Sequence, residues 1–148
     1  MMPVPRVAVG AIVRRGDTIL LVQRGRPPAM GEWAVPGGKV AWGETLAAAV
    51  EREVLEETGC RVRAERPVYL FEHIEPIAAD GQHHFHYVII DLAAEWLAGD
   101  PQAGDDAVAA RWVRFDQLPT LPVNHNTLTA LQQLYPERMP AHERIDGR

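Results

Sequence analysis

The chain has little cysteine, no surplus of positive charge and no long apolar run, and each shortage excludes something. Across 148 residues there is one cysteine, Cys60, so no internal disulfide can form. That fits a reducing compartment, and a cytoplasmic protein is the expectation. Lysine and arginine number 15 against 20 acids, a net charge of −5. Binding along a nucleic-acid backbone needs a Lys/Arg surplus, so nucleic acid is excluded as a bulk partner. Local arginines can still meet a small phosphate ligand. No apolar stretch reaches the roughly 20 residues that cross a bilayer, so no membrane partner is expected. Val7 to Val13 is apolar but short and ends at Arg14-Arg15, and no signal peptide is expected. A hydrophobic content of 47% fits one soluble globular domain over residues 1–148, long enough for a real core.

What is present is acid in one place. Arg52-Glu53-Val54-Leu55-Glu56-Glu57 sets three carboxylates within five residues. On a helix, residues i, i+3 and i+4 share a face, so Glu53, Glu56 and Glu57 project to one side. A solvated acidic face is the plain alternative, and a helical wheel tests it. At about 100° per residue, with Leu46 at zero, Val50 falls near 40° and Val54 near 80°. On the same wheel Glu57 falls near 20°, Glu53 near 340° and Glu56 near 280°. The acids overlap the rim of the apolar stripe, where an amphipathic surface helix would oppose it. Carboxylates there cost free energy unless paired or metal-bound. Clustered acids stay ionised when a cation sits among them, and oxygen ligands suit Mg²⁺ or Mn²⁺.

Pro36-Gly37-Gly38 precedes this helix, and Gly43-Glu44 opens it. Glycine lets backbone approach a ligand closely, and a Gly-rich turn beside a metal-bearing helix suits a diphosphate. Pro-Gly is also an ordinary turn signal, and alone it would mean no more than that.

The spacing as a whole is more specific. Gly38, five residues, Glu44, seven residues, then Arg52-Glu53-Val54-x-Glu56-Glu57-x-Gly59 resembles the signature of the Nudix hydrolases. All seven fixed positions match, and Cys60 stands at the final aliphatic position. At about 7% usage per residue type, chance gives seven such matches on the order of once in 10⁸ starts.

Along the chain, Arg6 to Arg14 and Thr18 to Arg24 are predicted as a hairpin about Arg15-Gly16-Asp17. Glu32 to Val35 is a short strand leading into the Gly-Gly turn. A helix is expected over Thr45 to Thr58, stopped by Gly59. Val62 to Ile74, interrupted at Pro67, and His84 to Leu97 are long strands, with an Asp80-Gly81 turn between them. His83, His84 and His86 cluster there, but zinc needs more ligands than they supply, so strand histidines with a ligand-contacting role are expected. Residues 99–106 form a polar loop, Val108 to Phe115 a strand, and Leu128 to Tyr135 a second helix capped by Asn126 or Thr127. Pro136 to Arg148 is a polar tail. The order suggests an α/β fold with a mixed β-sheet between helices. This is similar to the Nudix α/β/α sandwich, with a core over residues 5–135.

The resemblance implies an enzyme that splits a nucleoside diphosphate linked to another moiety, with Mg²⁺ or Mn²⁺ as cofactor and a small nucleotide as partner. It implies Glu53, Glu57 and Glu56 as metal ligands, with the backbone carbonyl of Gly37 as a fourth contact. Glu53 is also the candidate general base, Arg52 orients the glutamates, and Glu44 ties the loop to the helix. Homodimers are frequent in the family. Pro36 to Glu44, His86 to Asp91, and Gly104-Asp-Asp-Ala with Arg111-Trp-Val further resemble an ADP-ribose pyrophosphatase-like group. Many relatives carry Glu at the places of Ala41 and Ala109, and Asp105 or Asp106 are candidates to replace the later one. Arg24 and Gly38 are candidate phosphate contacts, although Arg24 reads equally as a surface strand end. Trp42, beside the glycines, is a candidate ligand contact, whereas Trp33 reads as core. Two alternatives stand beside ADP-ribose hydrolysis: a nucleoside triphosphate pyrophosphohydrolase, and a Nudix-fold ligand sensor without catalysis.

Overall fold

Alternation of side chains builds the first strand pair. In β1 (Arg6–Arg15), Val9, Ala11 and Val13 face one side and Ile12 the other. In β2 (Thr18–Arg24), Leu20 faces the first side, and Ile19 and Leu21 the second. Both faces are buried, so the pair lies mid-sheet, with one layer on each side. The computed structural model describes residues 3–27, 29–81 and 85–140.

The remaining elements are β3 (Trp33–Ala34), β4 (Gly37–Lys39), α1 (Leu46–Thr58), β5 (Arg61–Ile74), β6 (His86–Ala98), β7 (Ala107–Arg114), a 3₁₀ turn (Phe115–Thr120) and α2 (His125–Leu134). The seven-stranded sheet runs β3-β2-β1-β6-β5, with β4 on β1 and β7 on β2. The β1–β6 pairing is parallel and the others antiparallel, so the sheet is mixed. Helix α1 covers one face through Ala49, Val50 and Val54 against Val9, Val13 and Leu92. Helix α2 covers the other through Leu131, against Ile12, Leu21, Trp33 and Val113. The α/β sandwich follows from these two cores, and each fully buried Leu or Ile contributes about 1.5–3 kcal/mol. No helix among the described residues is long and apolar enough to cross a membrane.

Several expectations shift. The Gly-Gly segment is not a turn: Gly37–Lys39 is a strand, with Gly37 opposite Gly10 and Gly38 opposite Val9. A Cβ at Gly37 would lie 2.1 Å from the Val9 carbonyl oxygen, so the close pairing requires glycine. Pro67 does not end its strand. β5 continues through it, absorbing the missing donor as register shifts on either side. Helix α2 starts three residues earlier than expected, because Asn124 is its cap and accepts from the Asn126 N–H at 3.0 Å. The tail packs further than expected, with Met139 buried in the α2 core. His83 and His84 lie outside the described residues. His86 faces Glu72, 3.6 Å away.

Candidate active site

Helix α1 starts at a well-made cap. Thr45 accepts from the Ala48 N–H at 3.0 Å, and Gly59 closes the helix in the left-handed region at φ 74°. Between β4 and α1 the chain is tied by Arg52. Its guanidinium grips both carboxylate oxygens of Glu44, at 2.7 and 2.9 Å. It also donates to Glu53 at 2.9 Å, Glu56 at 3.1 Å and the Lys39 carbonyl at 3.1 Å. Glu44 accepts in addition from the Ala41 N–H at 3.0 Å. The bidentate grip of Arg52 holds the Glu44 carboxyl well down, at about 2. Glu44 is thus a tether between loop and helix, and Arg52 a positioning hub with its donors committed.

Glu53 and Glu57, one turn apart, enter a cleft of about 620 Å³ at the edge of β4. Glu57 accepts from the Gly37 N–H at 2.8 Å. A Cβ at Gly38 would stand 2.4 Å from the Glu53 carboxylate, so that glycine leaves the room the acid occupies. Burial pushes the Glu57 carboxyl up to about 8, and the charges of Glu53 and Asp105 push the same way, against Gly37 and Arg24. Glu53 is also raised, by burial first, with Arg52 opposing and Glu56 and Asp105 adding.

Asp105 comes from far along the chain, and backbone contacts deliver it. The Gln102 N–H donates to the Thr58 carbonyl at 2.8 Å, and the Gly104 N–H to the Glu57 carbonyl at 3.0 Å. The 99–106 loop therefore caps the end of α1, and Asp105, at φ 50°, faces the two glutamates electrostatically. Asp106 instead pairs with Arg26 at 2.9 Å. Both acids line the cleft, and of the two it is Asp105 whose charge acts on Glu53 and Glu57.

Arg24, Gly37 and Gly38 also line the cleft. Glu56 does not: it is exposed, held by Arg52. Trp42 does not either; it stands wholly in solvent, outside the lining of the cleft. The loop that carries it turns at Gly43, φ 82°, under the Glu44–Arg52 tether. Trp33 is core, 5% exposed. Sequence reasoning missed Lys39, Phe71, His73 and Asp91 as cleft residues. Only Asp91 left a signal, as one acid inside the apolar run Val88 to Leu92.

Among the described residues, no three His, Cys, Asp or Glu side chains converge tightly enough to hold one ion by themselves. The donor chemistry nevertheless fits a hard cation. Glu53 and Glu57 are raised partly by their neighbours' charges, a cost that a divalent ion removes. Magnesium in particular takes few protein carboxylates and fills its remaining positions with water and phosphate.

The NUDIX domain model matches residues 4–134. An ADP-ribose pyrophosphatase of Methanocaldococcus jannaschii is 35% identical over 126 residues, covering 84% of this chain and 70% of that protein. A Mycobacterium tuberculosis protein provisionally named 8-oxo-dGTP diphosphatase 2 is 58% identical over 114 residues, covering 76% of this chain and 74% of that one. The crystal structure of a MutT NUDIX hydrolase from Burkholderia pseudomallei superposes with a TM-score of 0.76 at 38% identity, over 89% of this chain and 99% of that one. Divalent metal ions are in general use across such enzymes. With its glutamate helix, its glycine strand and its two-layered core, the chain belongs to the NUDIX family of hydrolases.

Proposed function

We propose that the chain hydrolyses the pyrophosphate linkage of a nucleoside diphosphate joined to another moiety, with ADP-ribose the favoured substrate. The observation that carries this reading is the set of Glu53, Glu57 and Asp105 at one cleft bordered by Gly37 and Gly38. Glu53, Glu57 and the Gly37 carbonyl are the groups we assign to holding Mg²⁺ or Mn²⁺. When bound, such an ion neutralises phosphate charge and lowers the pKa of water. Glu53 is assigned as general base, taking a proton from the attacking water, and Arg52 keeps its carboxylate in place. Arg24 and Lys39, both in the cleft, face the diphosphate. Glu56, outside the cleft, serves through Arg52. The single, buried cysteine supports a reducing, cytoplasmic setting.

A second reading has a specific observation behind it. The 58%-identical mycobacterial relative carries a name for triphosphate cleavage. Product identification separates the two. With Mg²⁺ or Mn²⁺ supplied, ADP-ribose should yield AMP and ribose 5-phosphate. A preference for 8-oxo-dGTP, yielding the monophosphate and pyrophosphate, would replace the first reading with the second. A sensor role is disfavoured by the intact acids, and binding without turnover of either compound would restore it.

A further inference from the structure

One carboxylate in the cleft has no part in the chemistry above. Asp91 sits on β6 within Val-Ile-Ile-Asp-Leu and is 3% exposed. Its neighbours across the sheet are Gly10 on β1 and Tyr69 on β5. A Cβ at residue 10 would lie 2.1 Å from Asp91 Oδ1, so the carboxylate lies over the β1 backbone in space that glycine leaves open. Its Oδ1 is buried and accepts no hydrogen bond from the described residues. Burial of an unpaired acceptor is costly, and a ligand that brings the donor removes that cost.

The surroundings indicate what kind of donor. Along β6, Tyr87, Ile89 and Asp91 share a face and all line the cleft. On β5, Phe71 pairs with Ile89 and His73 with Tyr87, which extends the wall. Phe85 stacks on His73 at 5.7 Å between centroids and meets Tyr87 at 5.9 Å. A wall of rings ending in a buried acceptor suits a flat heterocycle that carries N–H groups. A sugar would leave the rings unused, and a phosphate would be repelled by the acid.

We infer that Asp91 is a specificity-determining residue, accepting a hydrogen bond from an exocyclic amino group of the substrate's nucleobase. This assignment rests on the nucleotide substrate proposed above. It makes the cleft select bases that present an amino group.

The test is calorimetric, on the full chain with EDTA present, so that it does not depend on turnover. The probes are AMP against purine riboside 5′-monophosphate, and GMP against inosine 5′-monophosphate. Wild type should bind the amino-bearing member of at least one pair about tenfold more tightly. Asp91→Ala should erase that preference by weakening the amino-bearing member alone. Asp91→Val repeats the measurement with a side chain that suits a strand, and thermal melts establish folding of both. Equal weakening of both members, no weakening, or a loss that follows the ribose hydroxyls in a 2′-deoxy-AMP control would overturn the assignment. So would a wild type indifferent to the amino group. Discrimination without hydrolysis of any pyrophosphate compound would support Asp91 while removing the hydrolase reading.

Discussion

Two residues in the cleft are held in states that cost the fold something. Glu57 is the more telling, because burial and neighbouring charge raise its carboxyl to about 8 while a glycine N–H holds it in place. Replacing it by Gln keeps the shape and removes the charge. Glu53→Gln and Glu57→Gln should each lower kcat by roughly 10²–10⁴, with melting temperatures at or above wild type in the absence of metal. Steady-state kinetics beside thermal melts checks both halves. Asp91 gives a pH prediction. Burial raises its carboxyl from the ordinary 3.8 to about 6. Below the lower value both folded and unfolded chains hold the proton, and no penalty exists. Between the two values the unfolded chain releases it first, so stability falls as pH rises, and above the upper value the loss is complete. The difference is on the order of 3 kcal/mol. Asp91→Asn lacks this group, so its stability relative to wild type should climb from about pH 4 to about pH 7 by a similar amount. Denaturant titrations across that range measure it, and a flat difference would contradict the burial argument.

At the scale of elements, the glycine strand β4 has the least tolerance. Gly37→Ala drives a methyl into the Val9 carbonyl, and Gly38→Ala drives one into the Glu53 carboxylate. The first should break the β1–β4 pairing and the fold with it. The second should leave a folded protein whose activity falls at least tenfold, since a misplacement of about 1 Å near a reacting group costs as much as 10². Circular dichroism and kinetics together distinguish the two. Thr45→Ala, by contrast, removes a cap and should cost about 1 kcal/mol without moving the glutamates. The glutamate helix α1 was legible because local rules agree there. Alanines, a Thr cap, a terminal glycine and a heptad-like Leu46, Val50, Val54 stripe all point to one answer. The wheel grouped all three acids at the rim of the stripe, yet Glu56, at the largest angle from it, is exposed and outside the cleft. The Gly-Gly strand was not legible, since its pairing depends on β1, which is distant in sequence. Nor was the start of α2, where Asn124 outcompetes Asn126 for the cap. Asp105 was legible only as one of two candidates, and Asp91 only as an acid in an apolar run. Their positions depend on which strand or helix end lies opposite, and no spacing rule along the chain contains that.

For the whole molecule, folding and metal binding are linked wherever the carboxylates of the cleft come together only in the folded chain. An ion that binds the folded chain alone raises its stability, by about 2.7 kcal/mol at a hundredfold excess over Kd. Manganese should therefore raise the melting temperature of wild type and shift Glu57→Gln much less, and EDTA should reverse the gain. Scanning calorimetry with and without the ion checks this. A Leu131→Ala cavity in the α2 core, across the sheet from α1, should cost about 2–5 kcal/mol and leave that manganese response in place.

The bond from the Gly104 N–H to the Glu57 carbonyl has a mechanical consequence. A peptide group of the very residue that offers one charge is the hitch for the segment that offers another. The late acid is thereby moored, one residue from its own anchor, to the terminus of the glutamate helix, and a substitution that shifts either end should displace both charges together.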